Sequence, residues 1–123
     1  GVNNMMDNPS VRAATEQLAV SIQESDEYRQ YKTLRDTVMD NETNRTLLKE
    51  YQRTQTKLQM AAMAGSDAGS EEVERFNKLS SLLYMNADVA QYLVAQMRLQ
   101  QLTGEVFQAV AKAAELDMEL PGM

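Results

Sequence analysis

Apolar residues recur at intervals of three and four along most of this chain, and the places where that rhythm breaks carry residues that cap helices. Val11, Ala14, Leu18 and Ile22 form a first stripe, with Asn8 placed as N-cap and Pro9 at the first helical position. At Ser25 the rhythm restarts. The serine hydroxyl can accept from the free N–H groups of a new turn, Asp26 and Glu27 lie where the helix dipole favours anions, and Tyr28, Tyr31, Leu34 and Val38 continue the stripe. The spacing predicts a helix over 26–39, either separate from the first or joined to it through a kink at Ser25.

Asp40 or Asn41 then offers a third cap, with Glu42 early in the turn, and Leu47, Leu48, Tyr51, Gln55, Leu58 and Ala62 share one face of a helix over 42–64. Gly65 stops it, and GSDAGS at 65–70 is the one loop-like composition in the middle of the chain. Ser70 is read as the next cap, with Glu71 and Glu72 in the first turn and Val73, Phe76, Leu79 and Leu83 as the stripe. YMNADV at 84–89 reads either as a break capped by Asn86 or as uninterrupted helix, with a kink preferred.

The last segment, 88–116, is apolar around an unusually wide arc. Gln91, Arg98, Glu105 and Lys112 recur every seven residues as one polar line. Val89, Leu93, Phe107 and Val110 point one way, and Leu99, Leu102, Val106 and Ala113 point more than a quarter-turn away. Ala90, Met97, Gly104 and Ala111 form a further heptad line, mostly of small residues that let a neighbouring helix approach closely. A helix of this span is about 42 Å long, whereas a compact domain of this chain length is about 35 Å across. Burial against a second chain resolves both surpluses, so a homo-oligomer or an obligate partner is expected.

No internal repeat or strand-like alternation appears. The expected fold is all-α: an antiparallel bundle of about four to five helices, with long helices at residues 42–64 and 88–116, assembling as an oligomer. A mobile segment at 1–7, a single domain at 8–116 and a tail at 117–123 are expected.

Composition narrows the chemistry. The apolar quota of 43% is filled by Ala, Leu and nine methionines, with only 6% aromatic, which suits helices. The net charge of −6 repels phosphate backbones and anionic membranes, so direct nucleic-acid binding is disfavoured. No apolar run is long enough to cross a bilayer and no secretion-signal pattern opens the chain, so no membrane association is expected and a cytoplasmic location is. The absence of cysteine excludes thiolate metal sites and thiol catalysis, and the absence of histidine removes the commonest general base.

The remaining candidates read as structure more readily than as chemistry. Glu71, Glu72 and Glu74 resemble part of a carboxylate metal cluster, but that design also needs a Glu-x-x-His pair, so an acidic first turn offsetting the dipole is preferred and no metal or cofactor is assigned. Tyr28, Tyr31, Tyr51, Tyr84 and Tyr92 are read as rings packed on helices, with Tyr84 and Tyr92 placed at an interface. Arg45, Lys49, Arg53 and Lys57 form a cationic line without interleaved aromatics, read as a solvated face. Met60, Met63 and Met85 lie off their helices' apolar stripes and could line an adaptable groove for a small molecule or peptide.

Three stretches carry a resemblance: LAVSIQESDEYRQYK (18–32), LLKEYQRTQTKLQMAAMAG (47–65) followed by EEVERFNKL (71–79), and NADVAQYLVAQMRLQQLTGEVFQAV (86–110). In order and spacing, and in the Ser-Asp-Glu-Tyr start, the chain resembles the YlbF/YmcA family of small helical bacterial regulatory proteins over most of 11–115. The resemblance implies an all-helical protein that associates as dimers or higher assemblies. It also implies a part in a multiprotein complex supporting competence, sporulation and biofilm formation through mRNA processing. Such complexes are associated with iron–sulfur clusters held by cysteines, which this chain lacks, so no cluster is carried over. Many relatives place a proline after the asparagine matching Asn86, where this chain has Ala87.

The resulting expectation is a non-enzymatic, cytoplasmic interaction or regulatory protein whose partners are itself and other helical regulatory proteins. Its contact residues are expected to be Tyr28, Tyr31, Tyr84, Tyr92, Met97, Leu99, Leu102, Gly104 and Val106. The alternative is a sensor built on a groove at Met60, Met63 and Met85.

Overall fold

Four side-chain N-caps lay out the architecture. The computed structural model describes residues 7–116; the expectations for the 117–123 tail and, Asp7 apart, for the 1–7 segment lie outside the described residues. Asn8 accepts from the Val11 N–H at 3.2 Å and starts α1, Pro9–Gln23. Ser25 accepts from Tyr28 N at 3.2 Å while its own hydroxyl donates to the Ile22 carbonyl at 2.6 Å, so one side chain closes α1 and opens α2, Asp26–Met39. Asn41 caps α3, Glu42–Met63, through the Asn44 N–H at 2.9 Å. Asn86 ends α4, Ser70–Met85, and caps α5, Ala87–Ala113, through the Val89 N–H at 3.2 Å. The all-α expectation with five helices is met.

One open alternative is settled and two boundaries differ from the sequence reading. At 84–89 the chain breaks into two helices, because the extended backbone of Asn86 ends one ladder as its side chain begins the next. Ser70 does not cap α4: it is the first helical residue, preceded by Gly69 at φ 85°, whose N–H is taken by Asp67 Oδ1 at 3.0 Å. The last helix stops at Ala113, short of 116, where Glu115 adopts φ 58° and the N–H groups of Glu115 and Leu116 turn back to the Lys112 and Ala111 carbonyls. The same pair of back-bonds, from Gly65 to Ala62 and from Ser66 to Ala61, ends α3, and there a glycine supplies the positive φ.

Two antiparallel pairings organise the helices. α3 and α4 form a hairpin in which Tyr51 stacks on Phe76 at 5.2 Å, with Glu50–Arg75 at 3.1 Å and Lys57–Glu72 at 3.7 Å along its length. α2 packs along the first half of α5: Tyr31 stacks on Tyr92 at 5.6 Å, and Arg98 reaches back to Gln30. Both pairings converge where α2 ends, α3 begins, α4 ends and α5 begins. The core is there: Val38, Leu48, Leu83, Val89 and Tyr92, with Tyr31, Leu34, Met39, Leu47, Tyr51 and Leu93 packed around it. Asn86 Nδ2 donates to Asn44 Oδ1 at 2.6 Å, joining the two turns across this junction, and Asn44 is itself buried.

Away from the junction burial thins out to Thr54 on α3 and Ala95 and Ala111 on α5. α1 contains no buried residue, and its Val11, Leu18 and Val20 are exposed. On α5, Met97, Phe107 and Val110 are exposed as well.

Candidate interaction surface

The sequence-predicted contact residues divide into three groups. Tyr92 is 3% exposed and belongs to the core of the protomer, so its placement at an interface is corrected: its ring is consumed by the stack with Tyr31. Burial, followed by hydrogen bonding with Tyr31 and that ring's charge, pushes the Tyr92 phenol up to about 12, and Arg35 opposes the shift. Tyr28 and Tyr31 are half-buried on α2. Tyr84 is exposed on α4, beside Tyr51, whose phenol is raised by burial first and by Tyr84 second.

Leu99, Leu102, Gly104 and Val106 are half-buried, and Met97, between their face and the open one, is 64% exposed. Val94, Phe107 and Val110 add to the uncovered apolar area of α5. The wide arc inferred from the heptad lines is therefore covered only in part: Val89 and Leu93 are held by the core and Leu99, Leu102 and Val106 are half-buried, while Phe107 and Val110 are open. α1, which packs lightly against α2, has an apolar stripe of its own in which Val11 and Leu18 are exposed and Ile22 is half-buried.

Met60, Met63 and Met85 are all exposed but are not brought together. Met60 and Met63 end α3, whereas Met85 ends α4, and in an antiparallel hairpin those are opposite ends, separated by roughly the 24 Å length of α4. The methionine groove is corrected accordingly.

The groove that does exist was not foreseen. It lies between α2 and α5, with a volume of about 610 Å³, lined by Leu34, Ala90, Val94 and Ala95 and flanked by Arg29 and Arg98. The signal for it in the sequence was the small residues Ala90 and Ala95, which let α2 approach α5 without filling the space beside Val94. Arg98 donates to Gln30 Oε1 at 3.5 Å, and neither arginine has a carboxylate partner among the described residues.

Several charges elsewhere find partners within the chain. Arg45 donates to the Met39 carbonyl, Arg53 and Arg75 approach Glu50, and Lys57 meets Glu72. Among the described residues no group of three acidic or other ligating side chains is arranged to hold a metal; Glu71 and Glu72 lie in the first turn of α4 and Glu74 just beyond it. No described helix is long and apolar enough to cross a membrane. What the surface presents is apolar helix edge rimmed by charge, suited to contact with other helices.

Comparison with known proteins agrees with this architecture. Residues 11–115 match the family model described as "Control of competence regulator ComK, YlbF/YmcA". The UPF0342 protein of Halothermothrix orenii is 36% identical over 90 residues, covering 73% of this chain and 76% of that protein. A UPF0342 protein of Bacillus velezensis is 29% identical over 98 residues, covering 80% and 84%. Among solved structures, a protein of unknown function (DUF964) from Bacillus stearothermophilus superposes with a TM-score of 0.72 at 24% identity, over 86% of this chain and 93% of that one. Bacillus subtilis RicA, solved in complex with RicF, superposes with a TM-score of 0.61 at 16% identity, over 88% and 96%.

Proposed function

This chain belongs to the YlbF/YmcA family, and from that premise we propose that it is a non-enzymatic regulatory protein that works by presenting helical surface, to a second copy of itself and to other helical proteins of its kind. The observation that carries the reading is the uneven burial. The core sits at one junction of four helix ends, while Val11, Leu18 and Val20 of α1 and Met97, Phe107 and Val110 of α5 stay in contact with water. Leaving large side chains exposed forgoes roughly 1.5–3 kcal/mol each on full burial, a cost that association recovers.

A fold relative solved as a complex, RicA with RicF, supports protein partners as the mode of action. The family description supports a role in the control of a competence regulator.

Light scattering on the purified chain tests the reading, together with co-purification against a second YlbF/YmcA-family protein from the same cytoplasm. The expected result is a mass above 13.8 kDa and a stoichiometric mixed complex. A protomer that stays alone in both experiments would sink it.

A further inference from the structure

One edge of α5 carries charges that its own chain leaves unmatched. Gln91, Arg98, Glu105 and Lys112 follow one another at steps of seven and are all exposed. Among the described residues Arg98, Glu105 and Lys112 have no ion pair, and Arg98 reaches only the neutral Gln30. They cannot satisfy each other, because seven residues of helix span about 10 Å. Beside this line run Val94 and Met97, 43% and 64% exposed, and the half-buried Gly104.

We propose that a second copy of this chain covers this edge with its own α5, antiparallel to the first, about a two-fold axis between Gln101 and Leu102. Arg98 then meets the partner's Glu105, and Glu105 meets the partner's Arg98. The proposal rests on the self-association put forward above and adds its direction and register.

The charge order selects this arrangement. A parallel, in-register pair would set arginine against arginine and glutamate against glutamate, whereas reversal turns both contacts into attractions. In the same register Lys112 falls level with the partner's Gln91, so no like charges of the polar line meet. Met97 stands level with the partner's Val106, one turn or less from the partner's Gly104, where the missing side chain leaves room for it. The helices overlap over residues 90–113, about 36 Å.

The test compares the wild-type chain with Arg98→Glu, Glu105→Arg, the double variant, and an equimolar mixture of the two single variants. Sedimentation at low salt, where exposed charges are least screened, reads the association, and circular dichroism checks the helix content. Each single substitution places two like-charge contacts in the two-fold pair, so the dissociation constant should rise about tenfold or more. The double variant should return to within about threefold of wild type, because the same pair is restored with its signs exchanged. The mixture should form heterodimers, since at positions 98 and 105 one chain then offers only acids and the other only bases. A wild-type oligomer whose single variants associate unchanged, or whose double variant and mixture fail to recover, overturns the register while self-association stands. A monomeric wild type overturns both.

Discussion

Tyr92 shows how one side chain can be misassigned by pattern yet leave a measurable signature. On a helical wheel a tyrosine at the edge of an apolar stripe is equally suited to an interface or to a core, and only the position of α2 decides, by bringing Tyr31 to 5.6 Å. Inside the stack the Tyr92 phenol stays protonated up to about 12, whereas in the unfolded chain it ionises near 10. Between those values the unfolded state has released the proton and the folded state holds it, so stability is complete below about pH 10 and falls as pH rises toward 12. The loss over that window should be roughly 1–2 kcal/mol of unfolding free energy, read from urea titrations. Tyr92→Phe should remove this part of the alkaline slope while costing about 1 kcal/mol at neutral pH for the lost hydroxyl contact. Tyr51, raised in the same direction, titrates in both proteins, so the difference between them isolates Tyr92. Parallel slopes for the two proteins would refute the assignment.

Among the elements, caps were legible and their long-range use was not. Asn8, Ser25 and Asn86 announce helix starts through chemistry local to three or four residues, and all three cap in the structure. Ser70 failed because the same kind of side chain competed with a glycine whose positive φ placed the boundary one residue earlier. The bond from Asn86 to Asn44 joins positions 42 residues apart, which no local rule reaches. The α2–α5 groove was equally hidden, because the voids beside small residues depend on how two helices cross. Asn86 therefore has two roles that substitutions can separate. Asn86→Ala removes the α5 cap and leaves the buried Asn44 carbonyl without its donor, which should cost about 2–4 kcal/mol in chemical denaturation. Asn86→Ser keeps a capping oxygen but is too short for Asn44, and should recover about 1 kcal/mol of that loss. Equal losses from both variants would mean that the cap contributes nothing and that the Asn44 bond accounts for the whole effect.

For the molecule as a whole, the sequence disclosed a surplus of apolar circumference on the last helix, and the structure shows where it falls: on the half of the protein that lies farthest from the core. A protomer built this way gains stability from whatever covers that half, so folding and association are linked. The wild-type melting temperature should rise with protein concentration, by a few °C for each tenfold increase given the unfolding entropy of a domain this size. Met97 offers a way to cut the link without touching the core, because it is 64% exposed in the protomer and has little to lose there. Met97→Glu should melt at the temperature the wild type reaches at high dilution and should show no concentration dependence, since a charge in the contact removes the assembled state but leaves the junction of Val38, Leu48, Leu83 and Val89 intact. If instead the variant melts lower at every concentration but keeps the wild-type slope, Met97 supports the protomer itself, and the surface that recruits a second chain lies elsewhere, with the exposed stripe of α1 the next place to substitute.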